Sequence, residues 1–258
     1  MKVTLFTSNQ IRHNYFINLL SINSSKLFVV QETNNKNSNI EGRYNSKIMK
    51  NYFANVSKAQ HEIFKDFDPI NKKGSIDLLK IDNNSVSNCS PEFLSKHLNS
   101  DIYIVFGSTF IKGWLADFLI KKKAINIHMG IAPYYRGTDC NFWALFDNNP
   151  HLVGATIHKL SKGLDNGSIL YHAISNRKKN LFTYTMSTVK AAFYSVIEKM
   201  NDETIFYMKP ENQNKQEEIR YSKKNDFNEK IIEKFNNQKV NLNFRFNLNK
   251  LKEPYILK

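Results

Sequence analysis

The chain has 258 residues, which suffices for one large domain and a small appendage. Its two cysteines, Cys89 and Cys140, are too few for a disulfide framework, and neither a bilayer-spanning apolar stretch nor a secretion signal occurs in the sequence. We therefore expect a cytoplasmic protein with reduced thiols and no membrane contact, whose formal net charge of +14 suits anionic partners of several kinds.

Strand and helix patterns alternate in the first part of the chain. In chain order we predict a strand at 3–6, a helix at 10–20, a strand at 27–30, a polar loop to about 46, a helix at 47–64, a weaker strand at 77–81, a helix opening at 90–92 and a buried strand at 101–106. Because strands that alternate with helices form parallel pairs, this order predicts an α/β fold with a mainly parallel sheet.

The turn after the first strand is a candidate phosphate site. It leads into a helix N-terminus, where backbone N–H groups favour anions, and it contains Ser8 and Asn9, with Arg12 one turn later. Ordinary capping of the helix by Ser8 or Asn9 explains the same residues at least as well.

A second connection of interest follows the buried strand at 101–106. It consists of Gly107, Ser108 and Thr109 and precedes the helix that contains Trp114. In such a loop of small residues, backbone groups are accessible and can hold a flat heterocycle.

The most informative pattern begins in the next strand. Asn126 and His128 share one face of this strand, roughly 7 Å apart, because side chains of an extended chain alternate between faces. Gly130 and Pro133 end the strand directly afterwards. Both polar side chains therefore lie at the carboxyl edge of the sheet, where open α/β folds keep their active sites, and we expect them to act on a ligand.

A third polar residue, Asp165, lies between two further strands. The remaining elements of this part are a predicted helix at 138–147, strands at 152–160 and 168–174, and a helix at 183–200. A lone turn sequence such as the one around Asp165, or a lone histidine in a strand, is usually structural, and we interpret His158 in that way. No spacing of His, Cys, Asp or Glu resembles a metal site, so we predict none.

Taken together, these residues resemble the 10-formyltetrahydrofolate-dependent formyltransferase family, in particular its nucleotide-sugar N-formyltransferase branch. The similarity is close over about residues 100–172 and looser towards both ends. The sequence departs from the family at 129–132, where relatives often carry a serine and two leucines. The matching residues are Asn126, Ile127, His128, Pro133, Arg136, Gly137, Asn141, Phe142, Trp143 and the segments 154–158 and 164–167.

The resemblance implies a Rossmann-like formyltransferase core, 10-formyltetrahydrofolate as the formyl donor, and no metal. It makes Asn126, His128 and Asp165 the catalytic residues. The implied folate-binding residues are Phe106, Gly107, Ser108, Thr109, Gly163 and Leu164. The implied substrate-binding residues are Ser8, Asn9, Arg12, Tyr135, Arg136 and Trp143, although core packing is the default interpretation of Trp143.

The chemistry of formyl transfer explains these residue types. Attack of an amine on a formyl carbon builds negative charge on the formyl oxygen, which the Asn126 amide and a protonated His128 can stabilise as hydrogen-bond donors. Asp165 favours the imidazolium and can take the proton that leaves the amine, directly or through a water molecule.

We predict two units, a catalytic domain at 1–205 and a small extension at 206–258 with a short helix and a terminal strand. The extension is much smaller than the β-barrel of methionyl-tRNA formyltransferases, which argues against tRNA. The terminal strand must cover its apolar face with its own domain or with a second copy, so a homodimer is one hypothesis. That face consists of Val240, Leu242, Phe244, Phe246 and Leu248.

The sequence thus predicts N-formylation of a nucleotide-linked amino sugar, with a dTDP-linked 4-amino-4,6-dideoxyhexose of the lipopolysaccharide O-antigen as the expected acceptor. Glycinamide ribonucleotide is the alternative acceptor. A nucleic-acid-binding module would explain the net charge, but the lysines are scattered, and those at 121–123 lie at a helix end where cations favour the dipole. Such a module would lose affinity steeply with salt and would not need Asn126 or His128.

Overall fold

The computed structural model describes residues 1–33, 46–65, 75–176, 178 and 180–258, and most of the polar loop predicted after the second strand lies outside them. The strands are β1 (Lys2–Ser8), β2 (Lys26–Thr33), β3 (Ile76–Asp82), β4 (Ile102–Phe106), β5 (Ile125–His128), β6 (Tyr135–Gly137), β7 (Ala155–Lys159), β8 (Ile169–Ser175), β9 (Arg220–Ser222) and β10 (Tyr255–Leu257). The helices are α1 (Ile11–Ile22), α2 (Lys47–Ile63), α3 (Pro91–Leu94), α4 (Gly113–Lys121), α5 (Cys140–Phe146), α6 (Leu181–Asn201) and α7 (Glu229–Asn236).

In the described residues, one sheet has the strand order β3-β2-β1-β4-β5-β7-β8-β10. The strands β1 to β5 pair in parallel, β7 is antiparallel to both of its neighbours, and β10 adds to β8 in parallel. Side chains of β1 alternate between two cores, with Leu5 packed in the cluster that contains α1 and α6 and Phe6 in the cluster that contains α4. The predicted α/β fold with a mainly parallel sheet is confirmed.

The predicted terminal strand over 240–248 is wrong. This segment belongs to neither sheet, and the strand near the C-terminus is β10. The apolar side chains at 240, 242, 244 and 246 instead pack, partly buried, against a cluster that includes Trp143, Tyr184 and Phe235. Alternating apolar residues indicate an extended segment with one buried face. Such a segment need not pair with a sheet, so the same pattern fits this segment, which packs outside both sheets. Because its own domain covers these side chains, the segment gives no reason to expect a second copy.

Backbone hydrogen bonds help to tie the chain after residue 205 to the rest of the molecule. The short strand β9 pairs with β6 in parallel. Glu211 exchanges backbone hydrogen bonds with Ile169 at the start of β8. The backbone N–H of Lys252 donates to Nδ1 of the buried His172 at 2.8 Å. These contacts bring residues after 205 next to the turn between β7 and β8.

Candidate active site

The predicted trio meets at the carboxyl end of β5. Asn126 and His128 lie on this strand, and Asp165 lies in the turn between β7 and β8. Asn126 Nδ2 donates to Asp165 Oδ1 at 3.3 Å, and His128 Nδ1 lies 3.4 Å from Asp165 Oδ2. The carboxylate therefore bridges the amide and the imidazole.

The other nitrogen of His128 fixes the protonation of the ring. His128 Nε2 lies 3.1 Å from the backbone oxygen of Tyr135. Because a carbonyl only accepts, Nε2 carries a proton, and Nδ1 can donate to Asp165 only when the ring is an imidazolium. Both contacts of the ring are therefore hydrogen bonds only when His128 is charged beside an ionised Asp165.

Burial and charge act in opposite directions on this pair, whose side chains are only 6% and 9% exposed. Burial lowers the pKa of His128, and attraction to Asp165 partly opposes this effect. Burial alone raises the pKa of Asp165, but favourable interactions, chiefly the attraction from His128, outweigh it and hold that pKa below its usual value. Asp165 is therefore a fixed negative charge at neutral pH.

His158, interpreted from the sequence as structural, contacts the trio. It lies opposite Asn126 in the antiparallel pairing of β5 with β7. Its Nδ1 donates to the backbone oxygen of Lys159 at 2.8 Å, so its Nε2 accepts from Asn126 Nδ2 at 3.0 Å. Asn126 Nδ2 thus donates to both His158 and Asp165. Because both of these partners are acceptors, the amide of Asn126 is fixed in one orientation.

A cavity of about 630 Å³ opens over the trio. The predicted trio lines it together with members of both predicted binding sets. These members are Ser8, Arg12, Phe106, Gly107, Ser108, Thr109, Gly163 and Leu164. The structure therefore brings the trio and the two predicted binding regions to one place.

The loop after β4 is held by a buried carboxylate that the sequence did not indicate. Glu32, at the end of β2, is 2% exposed and accepts from Ser108 Oγ at 2.9 Å and from Thr109 N and Oγ1, each at 2.7 Å. Gly107 has φ +63°, and a Cβ there would lie 2.2 Å from the ring of His13. Since both hydroxyls face Glu32, this loop offers its backbone to a ligand.

Exposed apolar side chains border the same cavity. Phe110 is 51% exposed and Leu164 is 37% exposed. Large apolar side chains at the mouth of a cavity favour an aromatic or heterocyclic ligand. Together with the rigid backbone of the loop after β4, they form a site that fits a flat ring.

A second cavity of about 430 Å³ adjoins the first, and Gln10, Arg12, Met129 and Asp139 line both. Arg12 donates to Gln60 Oε1 at 2.7 Å, and burial lowers its pKa to about 10, so it remains a cation at neutral pH. The rest of the wall is largely aromatic, with Tyr52, Phe53, Phe142, Phe182, Phe227 and Phe235. The two cavities can hold an elongated molecule with an anionic group at their junction.

The turn before α1 is only partly as predicted. The N-cap of α1 is Gln10, whose side chain makes no capping bond, so neither Ser8 nor Asn9 caps the helix. Ser8 lines the first cavity, but its hydroxyl contacts His13 Nδ1 at 3.0 Å. Asn9 is exposed and lines neither cavity. Arg12 is therefore the residue of this turn that is placed to meet an anion.

Three other predicted substrate-binding residues do not line either cavity. Tyr135 and Trp143 are almost completely buried in an aromatic core. The sequence does not show this, because the direction of each ring depends on tertiary packing and not on the spacing of the residues. Arg136 instead holds the Asp165 turn. Its Nε and Nη2 donate to the backbone oxygens of Asp165 and Leu164 at 3.3 and 3.0 Å, and its Nη1 pairs with Glu218 at 2.8 Å.

No group of three or more His, Cys, Asp or Glu side chains in the described ranges could hold a metal ion. No helix in these ranges has both the length and the apolar character of a membrane span.

Part of the chain matches a known protein family. Residues 94–200 match the family described as formyl transferase, and this segment contains Asn126, His128 and Asp165. A comparison with curated proteins gives no match.

Solved structures with the same fold include three formyltransferases. A sugar N-formyltransferase from Shewanella sp. is 16% identical, with a TM-score of 0.53 over 97% of this chain and 85% of its own. A 4-N formyltransferase from Francisella tularensis is 17% identical, with a TM-score of 0.51 over 87% and 77%. A phosphoribosylglycinamide formyltransferase from Anaplasma phagocytophilum is 15% identical, with a TM-score of 0.50 over 78% and 84%. At these identities the likeness establishes the fold.

Proposed function

We propose that this chain, whose residues 94–200 match the formyl transferase family, moves a formyl group from 10-formyltetrahydrofolate to the amino group of a nucleotide-linked sugar. The observation that carries the proposal is the contact of Asp165 with both Asn126 and His128 beside the larger cavity. Amide, imidazolium and carboxylate are the groups that amine attack on a formyl carbon requires.

Each member of the trio has a separate task. Asn126 and His128 donate hydrogen bonds to the formyl oxygen as it gains negative charge, and losing one such donor costs on the order of 100-fold in rate. Asp165 favours the protonated form of His128 against the effect of burial and takes the proton of the attacking amine, directly or through water. In the ligand-free site His158 and Asp165 accept both N–H bonds of Asn126, so the longer of the two, at 3.3 Å to Asp165, must turn to the formyl oxygen when substrate binds.

The larger cavity is our proposed folate site. When bound, the folate supplies an activated formyl carbon, so no covalent enzyme intermediate is needed. The backbone of Gly107, Ser108 and Thr109 and the exposed side chains of Phe110 and Leu164 form walls that suit a pterin ring. Gly163 lies in the same wall.

The acceptor site is proposed at the junction of the two cavities. Arg12 places a cation there, which suits the phosphates of a nucleotide-linked sugar, and the net charge of +14 strengthens the attraction. The match to the Shewanella sugar enzyme extends over 97% of this chain, and the match to the glycinamide ribonucleotide enzyme over 78%. A dTDP-linked 4-amino-4,6-dideoxyhexose is the proposed acceptor, in cytoplasmic O-antigen synthesis.

The test is formation of tetrahydrofolate from 10-formyltetrahydrofolate with a panel of acceptors. The panel contains dTDP-, UDP- and GDP-linked amino sugars and glycinamide ribonucleotide. We expect turnover with an amino sugar. Turnover with glycinamide ribonucleotide alone would reassign the acceptor, and no turnover with any of them would reject the proposed activity.

A further inference from the structure

Asp165 has a backbone conformation that contacts with the surrounding structure must stabilise. Its φ is +48°, in the left-handed region that residues with a side chain rarely adopt. Strained residues of this kind persist only where the surrounding structure fixes them. The turn also has no room to shift towards β7, because a Cβ at Gly167 would lie 1.7 Å from the backbone oxygen of Lys159.

One side chain from the C-terminal part of the chain bridges this turn. Nε2 of Gln213 donates to the backbone oxygens of both Asp165 and Gly167, each at 2.8 Å. The two N–H bonds of one amide thereby join the residue that contacts His128 to the glycine that ends the turn. A second donor, Arg136 Nε, reaches the Asp165 oxygen at a longer distance of 3.3 Å.

Gln213 is itself firmly placed. Two residues before it, Glu211 pairs with Ile169 through backbone hydrogen bonds of 2.9 and 2.7 Å. Five residues after it, Glu218 pairs with Arg136 at 2.8 Å. The segment that carries Gln213 is therefore fixed on both sides of the Asp165 turn.

The amide of Gln213 is not explained by its own hydrogen-bonding needs. Its Oε1 is buried without a hydrogen-bond partner among the described residues. A buried acceptor without a partner costs stability. A glutamine at this position is therefore explained by the two hydrogen bonds that its Nε2 donates.

We propose that Gln213 is a positioning residue that holds the Asp165 turn, so that the carboxylate meets both His128 and Asn126. The inference rests on the proposed function, because holding the Asp165 turn affects catalysis only if Asn126, His128 and Asp165 carry out formyl transfer. It also gives one side chain after residue 205 a part in positioning the trio.

The test compares Gln213→Met, which keeps the length of the side chain and removes both donors, with Gln216→Met in the same segment. Gln216 is exposed, and we expect its variant to match the wild type. For Gln213→Met we expect kcat to fall about tenfold or more, with both KM values within twofold of the wild type, because only the Asp165–His128 geometry changes. Gln213→Asn keeps the amide on a shorter side chain, and we expect its kcat to lie between those of Gln213→Met and Gln216→Met. This variant replaces Gln213→Met in the test if the methionine variant does not fold.

A second measurement does not depend on turnover. NMR titration of the ligand-free protein reports the pKa of His128, which Asp165 raises and which burial, His158 and Arg136 lower. Release of the turn should lower the pKa of His128 further in Gln213→Met and leave it unchanged in Gln216→Met. If kcat and this pKa both match the wild type, the positioning role is wrong. If the pKa falls but the wild type transfers no formyl group, the proposed function fails and the positioning role stands.

Discussion

At the scale of single residues, the site converges on one carboxylate. Asp165 contacts the amide of Asn126, the Nδ1 of His128 and, at 3.8 Å, the Nε2 of His158. Its pKa stays low in spite of burial chiefly because of the attraction from His128. A single negative charge therefore orients one oxyanion donor and favours the charged form of the other.

The first prediction separates chemistry from binding. We expect Asn126→Ala, His128→Asn and Asp165→Asn each to lower kcat by about 100-fold or more, while folate binding survives. Asp165→Asn is the sharpest of the three, since asparagine tolerates a positive φ and has a similar shape, so that mainly the charge is lost. Steady-state assays and calorimetric titration with folate measure both effects, with His61→Asn on the exposed side of α2 as the matched control. Loss of folate binding together with turnover would mean that the trio is structural.

The trio was predictable because its signal is local. A period of two places Asn126 and His128 on one face, and the resemblance adds Asp165. Glu32 and Gln213 were missed because each acts on a loop far away in sequence, and neither lies in a pattern that marks it. His158 was visible in the sequence, but its role depends on the register that pairs it with Asn126.

At the scale of elements, the antiparallel strand β7 completes the site. Its pairing with β5 places Thr156 opposite His128 and His158 opposite Asn126, on the polar face of both strands. Hydrophobic patterns predicted the existence of most strands and helices, because each must bury an apolar face. They failed at 240–248, since the same alternation also suits an extended segment that packs outside a sheet.

The second prediction concerns the pairing of β6 with β9. Gly137 has φ +94°, and a Cβ there would lie 1.9 Å from the backbone oxygen of Ser222 on β9, whereas a Cβ at Gly113, with φ +67°, would meet no atom within 4 Å. We expect Gly113→Ala to cost about 1–2 kcal/mol of stability from backbone strain alone. Gly137→Ala should cost about 1–3 kcal/mol more, because β9 must move. Denaturant unfolding of both variants measures this difference, and equal losses would show that the contact with β9 is unimportant.

At the scale of the whole molecule, the C-terminal part of the chain closes the fold around the site. Glu211, Gln213 and Glu218 fix the Asp165 turn from one side, and Lys252 is attached to β8 through His172. The fold is therefore stable only while these long-range contacts persist. One of them, the bond from Lys252 N to His172 Nδ1, depends on a neutral histidine, which makes stability sensitive to acid.

His172 supplies the last prediction. It is 2% exposed, its Nε2 donates to Ala132 O at 2.9 Å and its Nδ1 accepts from Lys252 N, so both nitrogens are used only by the neutral ring. Burial lowers its pKa from 6.5 to about 4. Below pH 6.5 the unfolded chain therefore binds a proton that the folded protein does not. This contribution is complete above pH 6.5 and is lost towards pH 4, a difference of roughly 3 kcal/mol.

Glutamine at this position offers one donor and one acceptor but does not titrate. We therefore expect His172→Gln to lose about 2 kcal/mol less stability than the wild type between pH 7.5 and pH 5, as measured by urea unfolding at each pH. The comparison isolates His172, because His13 and His128, whose pKa values burial also lowers, are present in both proteins. Parallel stability curves would mean that His172 is protonated in the folded state. The attachment of Lys252 would then have to tolerate a charged ring, although its N–H would have no acceptor at Nδ1.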